Sequence, residues 1–510
     1  MGYKVNSKDK CNKSIILVIF DIDNQGPIVL YELLNKHGYR CKLVYFLHDG
    51  ADNREALKDF IHTQNAVFVG FSFASHSTEL AFSLSKQLAQ SFPKIPIIFG
   101  GVHPSIDTDS CIDKCNAVCI GEGEVAILEV AEKILNNNNY LTSRNLVYKT
   151  EEGKVVRNEI NPLITDLDTL PIRRIVSDGH VIVEDGKVNI VDKKKYFEIN
   201  PRARTNYIQT FSRGCPSACS YCCNSKYRSI YTKWSKVRSK SVEATIKEIY
   251  EIVEFNSDLE KVFIIDDCFF VHDVKWLNNF VGQWRQKINK ELTCFAIPHF
   301  VTEEKIKVLK SLDLCHISVG LQSGSEKTNA SYNRKFSSDK FLQTCELINS
   351  FHVGLVVNVI FDNPWEDNED LYKTLDVLTR IKKPFYIIHY SLKLYPGTKL
   401  YEKLSEDVQN IPDFNLWYTD YFTIGSSDTN RILILSQFLT RTFSLWLFDN
   451  KQRVLCKYLI RVLHVLAGLV MPFHALRIAG SRSFLKNVKI AISHRKQAIR
   501  LVKGILGLKK

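Results

Sequence analysis

The stretch FSRGCPSACSYCCN, residues 211–224, holds four cysteines within nine positions. Three of them, Cys215, Cys219 and Cys222, have the spacing Cys-x3-Cys-x2-Cys. Thiolates are soft ligands that suit zinc or iron–sulfur clusters. Structural zinc usually takes four ligands, often as two separated pairs, and no second Cys-x2-Cys pair occurs in the chain. Three thiolates on one loop would instead hold three irons of a cubane cluster and leave the fourth iron open to a substrate or cofactor.

The surplus cysteine of this stretch is Cys223. Using it as the third ligand would change the spacing to Cys-x3-Cys-x3-Cys. We therefore interpret Cys223 as a small packed side chain, and we predict that the metal ligands are Cys215, Cys219 and Cys222.

From residue 206 onward, short apolar runs alternate with helical patterns. The predicted strands are 207–212, 261–266, 292–297, 314–320, 354–361 and 385–393, and the predicted helices are about 241–255, 273–289, 303–312, 337–350 and 366–381. Six such units predict a partial (β/α)6 TIM-like barrel, whose chemistry would lie at the carboxyl ends of the strands. The four cysteines directly follow the first of these strands.

The first 135 residues also alternate between strands and helices. Buried-strand runs are SIILVIF (14–20), CKLVYF (41–46), AVFVGFS (66–72), IPIIFGG (95–101) and AVCIG (117–121), with helical patterns at 27–37, 76–92 and 124–135. This alternation predicts a Rossmann-like α/β domain with a parallel sheet.

Four regions follow from these patterns. We predict a Rossmann-like domain over 1–139, a connector over 140–205, the barrel over 206–400 and a basic helical C-terminal region over 401–510. Fourteen cysteines among 510 residues are too dilute for a disulfide scaffold, and the polar start has no apolar signal segment. We therefore expect a cytoplasmic protein.

The net charge of +13 is concentrated in the C-terminal region. Residues 431–510 contain 16 Lys and Arg and one acidic residue, Asp449. Such a segment favours an anionic partner. The longest uncharged run, 462–476, is shorter than the about 20 apolar residues that span a bilayer, so we expect peripheral membrane contact or a solvated helical cap, and no nucleic-acid partner.

The cysteine spacing after the first barrel strand resembles the radical S-adenosylmethionine (SAM) superfamily. The resemblance implies a [4Fe-4S] cluster whose open iron binds SAM. Tyr221 matches an aromatic position of that family near the adenine. Polar residues at later strand ends are further candidates for SAM contacts: Asp266 and Asp267 in IIDDCF, Gln322 and Ser323 in VGLQSGSE, and Asn358.

After the first N-terminal strand comes Asp21-x-Asp23-x-x-Gly26. This segment resembles the Asp-x-His-x-x-Gly motif of cobalamin-binding domains, in which the histidine ligates cobalt; here Asp23 stands at the histidine position, and carboxylate is a poorer ligand for cobalt. Ser72, Gly100, Gly101 and Gly121 match other positions of the same fold, at the ends of the third, fourth and fifth strands. These are the candidate cobalamin-binding residues.

Both matches together resemble the cobalamin-binding radical SAM family that includes anaerobic magnesium-protoporphyrin IX monomethyl ester cyclases and C-methyltransferases. The resemblance implies reductive cleavage of SAM to a 5′-deoxyadenosyl radical, with methylation of an unactivated carbon as the favoured outcome. It also implies an electron donor such as flavodoxin or ferredoxin and a small-molecule or lipid-like substrate. The alternatives are oxidation or cyclisation without methyl transfer, and a non-enzymatic metal-binding protein.

Overall fold

The computed structural model describes residues 13–312, 315–404 and 427–479. They form two compact units. The N-terminal unit contains the described residues within 1–206, 214–259 and 394–421, and the second unit contains those within 207–213, 260–393 and 422–510.

The secondary-structure elements follow each other in βα order. The strands are β1 Ser14–Ile19, β2 Arg40–Tyr45, β3 Ala66–Ser72, β4 Ile97–Gly100, β5 Ala117–Cys119, β6 Leu146–Lys149, β7 Val155–Arg157, β8 His180–Glu184, β9 Lys187–Ile190, β10 Asn206–Gln209, β11 Ser212–Arg213, β12 Arg238–Ser239, β13 Lys261–Ile264, β14 Glu291–Ala296, β15 Cys315–Gln322, β16 Gly354–Phe361 and β17 Tyr386–Ser391. The helices are α1 Gly26–Lys36, α2 Ala51–Thr63, α3 Thr78–Ser91, α4 Val102–Ile106, α5 Thr108–Cys111, α6 Glu124–Leu135, α7 Lys193–Ile199, α8 Cys223–Ile230, α9 Val242–Phe255, α10 Val274–Gln283, α11 Glu303–Lys310, α12 Glu326–Ser331, α13 Ser338–Ser350, α14 Asn368–Arg380, α15 Lys399–Leu404, α16 Asp428–Leu435, α17 Arg441–Asn450 and α18 Val454–Ala479.

The N-terminal unit is built on a nine-stranded sheet with the order β7-β6-β5-β4-β3-β1-β2-β8-β9. The six strands in its centre, which lie side by side in the order β5-β4-β3-β1-β2-β8, are parallel. Alternate residues of β1 enter two hydrophobic cores, one on each face of the sheet. The predicted Rossmann-like domain is confirmed, with helix α2 as an element that the sequence patterns did not predict.

Residues 140–205, predicted as a connector, instead extend this sheet. Strands β6, β7 and β9 pair antiparallel at the two edges, and β8 pairs parallel with β2. These strands are only three to five residues long. Runs this short carry too little periodicity to be distinguished from a connector, which is why the sequence pattern missed them.

The second unit is built on a six-stranded sheet with the order β10-β13-β14-β15-β16-β17. The strands from β13 to β17 are paired in parallel and in chain order. Because right-handed crossovers place their helices on one side of such a sheet, one face packs against helices and the other is left for chemistry. The predicted partial (β/α)6 barrel is confirmed.

The C-terminal region is helical in its described part. Residues Ile432 to Leu435 of α16, and Leu447 and Phe448 of α17, are buried, so these two helices belong to the packed second unit. Among the described residues, no helix is long and apolar enough to cross a membrane. The basic residues from 480 onward lie outside the described part.

Candidate functional site

The chain enters the cysteine-bearing loop, residues 214–222, through a glycine that no other residue could replace without strain. Gly214 has φ +97°, in the left-handed region that favours glycine. A Cβ added there would lie 2.5 Å from the backbone oxygen of Trp234. The start of this cluster loop therefore depends on close backbone packing around Gly214 as well as on the cysteine ligands.

Two side chains of helix α8 hold the cluster loop. The Arg228 guanidinium donates to the carbonyl oxygens of Pro216 and Ser217, each at 3.0 Å. The Asn224 amide lies 3.6 Å from the Cys222 Sγ and donates to it, and the Asn224 oxygen accepts from the Trp234 indole at 2.8 Å. A hydrogen bond to sulfur favours the thiolate that a metal requires.

The three predicted ligands lie on this loop, with Cys215 buried and Cys219 and Cys222 half-buried. Cys223 is instead the first residue of α8, and its thiol raises the pKa of Tyr227 one turn later, where burial is the larger cause. Cys223 thus belongs to the first turn of the helix, directly after the last residue of the loop. Within the described ranges, no three His, Cys, Asp or Glu side chains are grouped to hold a single metal ion; a cubane cluster differs because each cysteine binds a separate iron.

The residues after the cluster loop pack on the carboxyl ends of the N-terminal strands, within the same unit. The Tyr231 hydroxyl accepts from the Glu122 backbone N–H at 2.9 Å and from the Asn145 amide at 3.3 Å. Arg238 forms a buried bidentate ion pair with Glu122, at 2.7 and 3.2 Å. These contacts anchor the segment that carries the cluster loop to the carboxyl ends of strands in the first sheet.

The N-terminal sheet has its topological switch point between β1 and β3, the place where ligands bind in open α/β folds. Ile19 of β1 is in register with Ser72 of β3. The segments that follow these strands, residues 20–25 and 72–77, lie side by side, and we call this place the β1/β3 crevice. The Asn24 amide bridges it by donating to the Ser72 carbonyl and hydroxyl oxygens, both at 3.3 Å.

The two predicted aspartates of the crevice have different environments. Asp23 accepts from the Asn200 amide at 3.2 Å and pairs with Arg202 at 3.4 Å. Burial raises its pKa, with a further contribution from the neighbouring Asp21 charge. Asp21 lies near an imidazole, since its Oδ2 is 3.8 Å from the His76 Nε2.

The predicted glycines lie around the same edge. A Cβ at Gly101, where φ is +99°, would lie 2.9 Å from backbone atoms of Phe73, and one at Gly121 would overlap the Tyr231 hydroxyl. Gly100 leaves ordinary van der Waals space, and a Cβ at Gly26 would meet one atom, 3.9 Å away. A methyl group could therefore be added at Gly26 or Gly100 without a clash.

In the second unit, Asp266 follows strand β13 and is buried. Its Oδ1 accepts from the backbone N–H groups of Phe211 at 2.9 Å and Ser212 at 3.1 Å. Burial raises its pKa to about 6, and its Oδ2 has no hydrogen-bond partner in the described structure. Asp267, the predicted SAM contact, is the exposed residue beside it.

Strand β15 ends in an unusual backbone conformation. Gln322, a predicted SAM contact, has φ +66°, which is uncommon for a residue other than glycine and points to a functional constraint. The next residue, Ser323, is buried, and its hydroxyl donates to the Glu366 carboxylate at 2.6 Å. It also contacts the Thr374 hydroxyl at 3.2 Å. Ser323 is therefore occupied in an internal network, in contrast to the half-buried Gln322.

Asn358 on β16 shares a face of the sheet with Ser318 on β15, and its amide donates to the Ser318 hydroxyl at 2.7 Å. The Asn358 Oδ1 is buried and has no hydrogen-bond partner among the described residues. A buried acceptor of this kind is costly unless a ligand satisfies it. Asn358 thus fits the predicted role in binding.

Arg334 is a candidate that the sequence patterns missed. Its guanidinium donates to the Gly320 carbonyl at 2.7 Å, at the end of β15, and stacks over Phe336. The Arg lies twelve residues after Gln322, beyond helix α12, so strand-end patterns alone could not point to it. Its positive charge makes it a candidate for contact with an anionic group.

Two family models match the chain. The B12 binding domain matches residues 18–131, and the radical SAM superfamily matches residues 210–378. The first range runs from the end of β1 into α6, and the second begins just after β10, includes the cluster loop and continues through β16 into α14.

Curated relatives match the chain at low identity. An anaerobic magnesium-protoporphyrin IX monomethyl ester cyclase of Rubrivivax gelatinosus is 22% identical over 66% of this chain and 57% of the cyclase. An uncharacterized methyltransferase of Pyrococcus horikoshii is 20% identical over 66% of this chain and 68% of that protein. The match therefore spans little more than half the length of the cyclase.

Solved structures have the same fold. The radical SAM methyltransferase TsrM of Kitasatospora setae superimposes with a TM-score of 0.63 at 15% identity, over 78% of this chain and 77% of TsrM. The cobalamin-dependent SAM radical enzyme OxsB superimposes with a TM-score of 0.64 at 15% identity, over 96% of this chain and 72% of OxsB.

The three-cysteine loop and the parallel sheet with its alternating helices agree with the match of residues 210–378 to the radical SAM superfamily. The chain thus contains a B12 binding domain over residues 18–131 and a radical SAM domain over residues 210–378. These two domains imply a [4Fe-4S] cluster, SAM and cobalamin as cofactors. The residues present fit these groups: three thiols share a braced loop, the Asn358 Oδ1 and Asp266 Oδ2 are buried acceptors, and a Cβ at Gly26 or Gly100 would meet no atom closer than 3.8 Å.

Proposed function

We propose that this enzyme methylates an unactivated carbon of a small, largely apolar molecule. The cluster with SAM supplies a carbon-centred radical when bound, and the corrinoid supplies the methyl group. Cys215, Cys219 and Cys222 would hold the cluster, with Tyr221 and Asp267 as SAM contacts. The single observation that supports this function most is the combination of both cofactor domains in one chain. The methyltransferase TsrM, which has a similar fold, binds cobalamin and a [4Fe-4S] cluster.

Further residues are proposed for SAM and for cobalamin. Gln322, Asn358 and Arg334 are at the β15 and β16 end of the second unit, where the amide oxygen of Asn358 would accept a hydrogen bond and Arg334 would pair with a carboxylate. Ser323 would act by positioning Gln322, because its own hydroxyl is bound to Glu366. For cobalamin we propose the residues of the sheet edge: Asp21, Asp23, Gly26, Ser72, Gly100, Gly101 and Gly121.

The substrate class follows from the register of the second sheet. Phe263, Phe295, Ile360, Ile388 and Tyr390 point to the same face as Asn358, because they occupy aligned positions of parallel strands. The opposite face is apolar and almost fully buried, whereas Tyr390 is 37% exposed and the other four are half-buried. An apolar, partly exposed face suits a substrate with an apolar body.

The experiment that tests this function uses anaerobically reconstituted enzyme. SAM with a deuterated methyl group is incubated with the protein, a one-electron donor such as reduced flavodoxin, and a small-molecule cell extract. Methylation requires 5′-deoxyadenosine, S-adenosylhomocysteine and a product that carries the label. The variant Cys219→Ala should abolish all three, while Cys223→Ala should retain them. Equal loss in both variants would contradict the ligand assignment.

Oxidation or cyclisation is the second candidate, favoured by the similarity to the Rubrivivax gelatinosus cyclase. It predicts 5′-deoxyadenosine without S-adenosylhomocysteine and a product lighter by hydrogen. The same incubation therefore separates the two outcomes. Absence of 5′-deoxyadenosine under every condition would leave only a metal-binding role.

We also propose that helix α18 contacts an anionic membrane surface. Val454, Leu455 and Tyr458 are 85%, 78% and 61% exposed, and Val462 and Leu466 continue this apolar stripe at helical spacing. Lys457 and Arg461 lie on the same helix, within a region of 16 basic residues and one acidic residue. An amphipathic basic helix of this kind favours anionic lipid.

Point substitutions test this contact, because removing the whole region would also remove the buried helices α16 and α17. Leu455→Glu should weaken sedimentation with vesicles that contain phosphatidylserine, and Ile190→Glu, at a 66% exposed position of the first unit, is the matched control. Binding that is equal for both variants, or insensitive to salt, would contradict the proposal.

A further inference from the structure

Two segments of the first unit that adjoin the cluster loop are strongly basic. Residues 223–240 and 396–404 together contain eight Lys and Arg and one acidic residue, Glu402. Arg228 and Arg238 are engaged within the unit, where they bind carbonyl oxygens of the loop and a buried carboxylate. Four other basic side chains form no ion pair within the described ranges and lie exposed or half-buried. We call these four the loop lysines: Lys226, Lys233, Lys236 and Lys399.

Lys399 and Lys236 lie beside the cluster loop because their neighbouring backbone packs on it. The N–H of Leu400, the residue after Lys399, donates to the Ser220 carbonyl of the loop at 2.9 Å. A Cβ added to Gly214, the first residue of the loop, would lie 3.1 Å from the backbone oxygen of Lys236. Both ends of the loop therefore have an exposed lysine close by.

The other two loop lysines are held near the cluster loop by helix α8. Lys226 follows the last predicted ligand, Cys222, by one helical turn. Lys233 precedes Trp234, whose indole donates to the Asn224 oxygen at 2.8 Å, so the turn after α8 folds back on that helix. Three chain segments of one unit thus place positive charge around the loop.

This surface offers charge without the features that suit a membrane or a nucleic acid. Of the large exposed apolar side chains in the described structure, none belongs to these two segments, whereas a membrane-binding surface buries apolar side chains in lipid. The rings of Tyr231 and Trp234 are buried and leave little aromatic surface on which bases could stack. Exposed lysines alone are typical of surfaces that attract an acidic protein by charge.

We propose that an acidic one-electron carrier protein, such as a flavodoxin, docks on the loop lysines. The inference rests on the proposed function, in which the cluster has to be reduced. The carrier would be oxidised by one electron as the cluster is reduced by one, and no atom would be transferred. Opposite charges speed the encounter, and the small contact typical of redox partners lets the oxidised carrier leave.

The rate of cluster reduction tests this surface in the full-length, cluster-loaded protein. Stopped-flow absorbance with a reduced bacterial flavodoxin gives the second-order rate constant, and calorimetric titration with the oxidised flavodoxin gives the Kd. The double variant Lys233→Glu with Lys236→Glu should lower the rate constant by about tenfold or more at low ionic strength and weaken binding. Added salt should reduce this difference. Lys94→Glu with Lys154→Glu, at two exposed positions of the same unit, changes the net charge equally and should behave as the wild type.

Dithionite, a small reductant that needs no docking surface, separates this proposal from the proposed function. With dithionite, the Lys233 and Lys236 variant should form 5′-deoxyadenosine from SAM as the wild type does. If the wild type forms none, the proposed function fails, and the flavodoxin Kd of the two double variants still decides the docking surface.

Equal rate constants and equal Kd values for the two double variants would overturn the proposal, as would rates that do not respond to salt. Another result would also overturn it: RNA or vesicles with phosphatidylserine bind to the wild type and not to the Lys233 and Lys236 variant, while flavodoxin reduces both proteins equally fast. The surface would then serve a different anionic partner.

Discussion

Replacing Gly214 with alanine should disrupt the iron–sulfur cluster without changing any ligand. Two effects act together at this position. The backbone has φ +97°, which costs an L-residue about 1–2 kcal/mol. The added Cβ would also lie 2.5 Å from the Trp234 carbonyl oxygen, a contact that requires the backbone to move and adds about 1–3 kcal/mol.

The sum of about 2–5 kcal/mol for Gly214→Ala is reduced by about 0.4–1 kcal/mol, because alanine also restricts the unfolded chain. Gly153→Ala is the matched control. Gly153 has φ +83°, but its nearest neighbour is the Lys149 side chain at 3.9 Å. The control therefore carries the dihedral cost without the steric overlap. Any loss of the iron–sulfur cluster in Gly214→Ala beyond that in Gly153→Ala reports on the cluster loop.

The assay is iron and acid-labile sulfide per chain after anaerobic reconstitution, together with the thiolate-to-iron absorbance. We expect Gly214→Ala to lose most of its cluster and Gly153→Ala to match the wild type. Circular dichroism checks that both variants stay folded. Full cluster loading in Gly214→Ala would refute the idea that this glycine sets the path of the loop.

Three further predictions concern the polar contacts of each unit. Arg228→Ala removes both hydrogen bonds to the cluster loop and should lower iron content, whereas Arg228→Lys should restore part of it; equal loss in both would argue against positional support. Arg238→Met leaves the buried Glu122 carboxylate without its opposite charge and should lower the free energy of unfolding by about 3–5 kcal/mol. In denaturant titrations, the double variant with Glu122→Gln should recover part of this free energy. Additive losses of the two substitutions would contradict the ion pair. Burial raises the pKa of Asp266 to about 6, from about 3.9 when unfolded. The carboxyl's contribution to the free energy of unfolding is therefore fully present below pH about 4 and is lost as pH rises through about 6. The loss amounts to about 3 kcal/mol. Asp266→Asn should lack this pH-dependent component in unfolding of the metal-free protein, and identical pH profiles would show that the carboxyl is not responsible.

Much of the fold could be predicted because the strands are strongly apolar. All six residues of β1 are buried, and the predicted barrel strands agree with the observed ones to within a few residues. Long amphipathic helices such as α9 and α14 have similarly clear patterns. The short strands of residues 140–205 were missed because they are stabilised by pairing with a sheet that is already formed, and such pairing leaves little periodicity in sequence.

The candidate site divides in the same way. The spacing of Cys215, Cys219 and Cys222 was readable because all three ligands lie on one loop. The sequence does not show that Gln322 is half-buried while Ser323 is bound in an internal network. The partner of Ser323 is Glu366, 43 residues later in the chain.

By itself, the sequence determined the two cofactor domains and the three thiolate ligands, because these depend on local spacing and on apolar runs. Only the tertiary structure decided that Asp23 is held by Asn200 and Arg202, and that Asp21 has His76 beside it instead. Asp23 and Asn200 are 177 residues apart in the chain. The physical reason is that the chemistry of a carboxylate depends on the charges and donors around it, and the folding of distant segments decides which of those it meets.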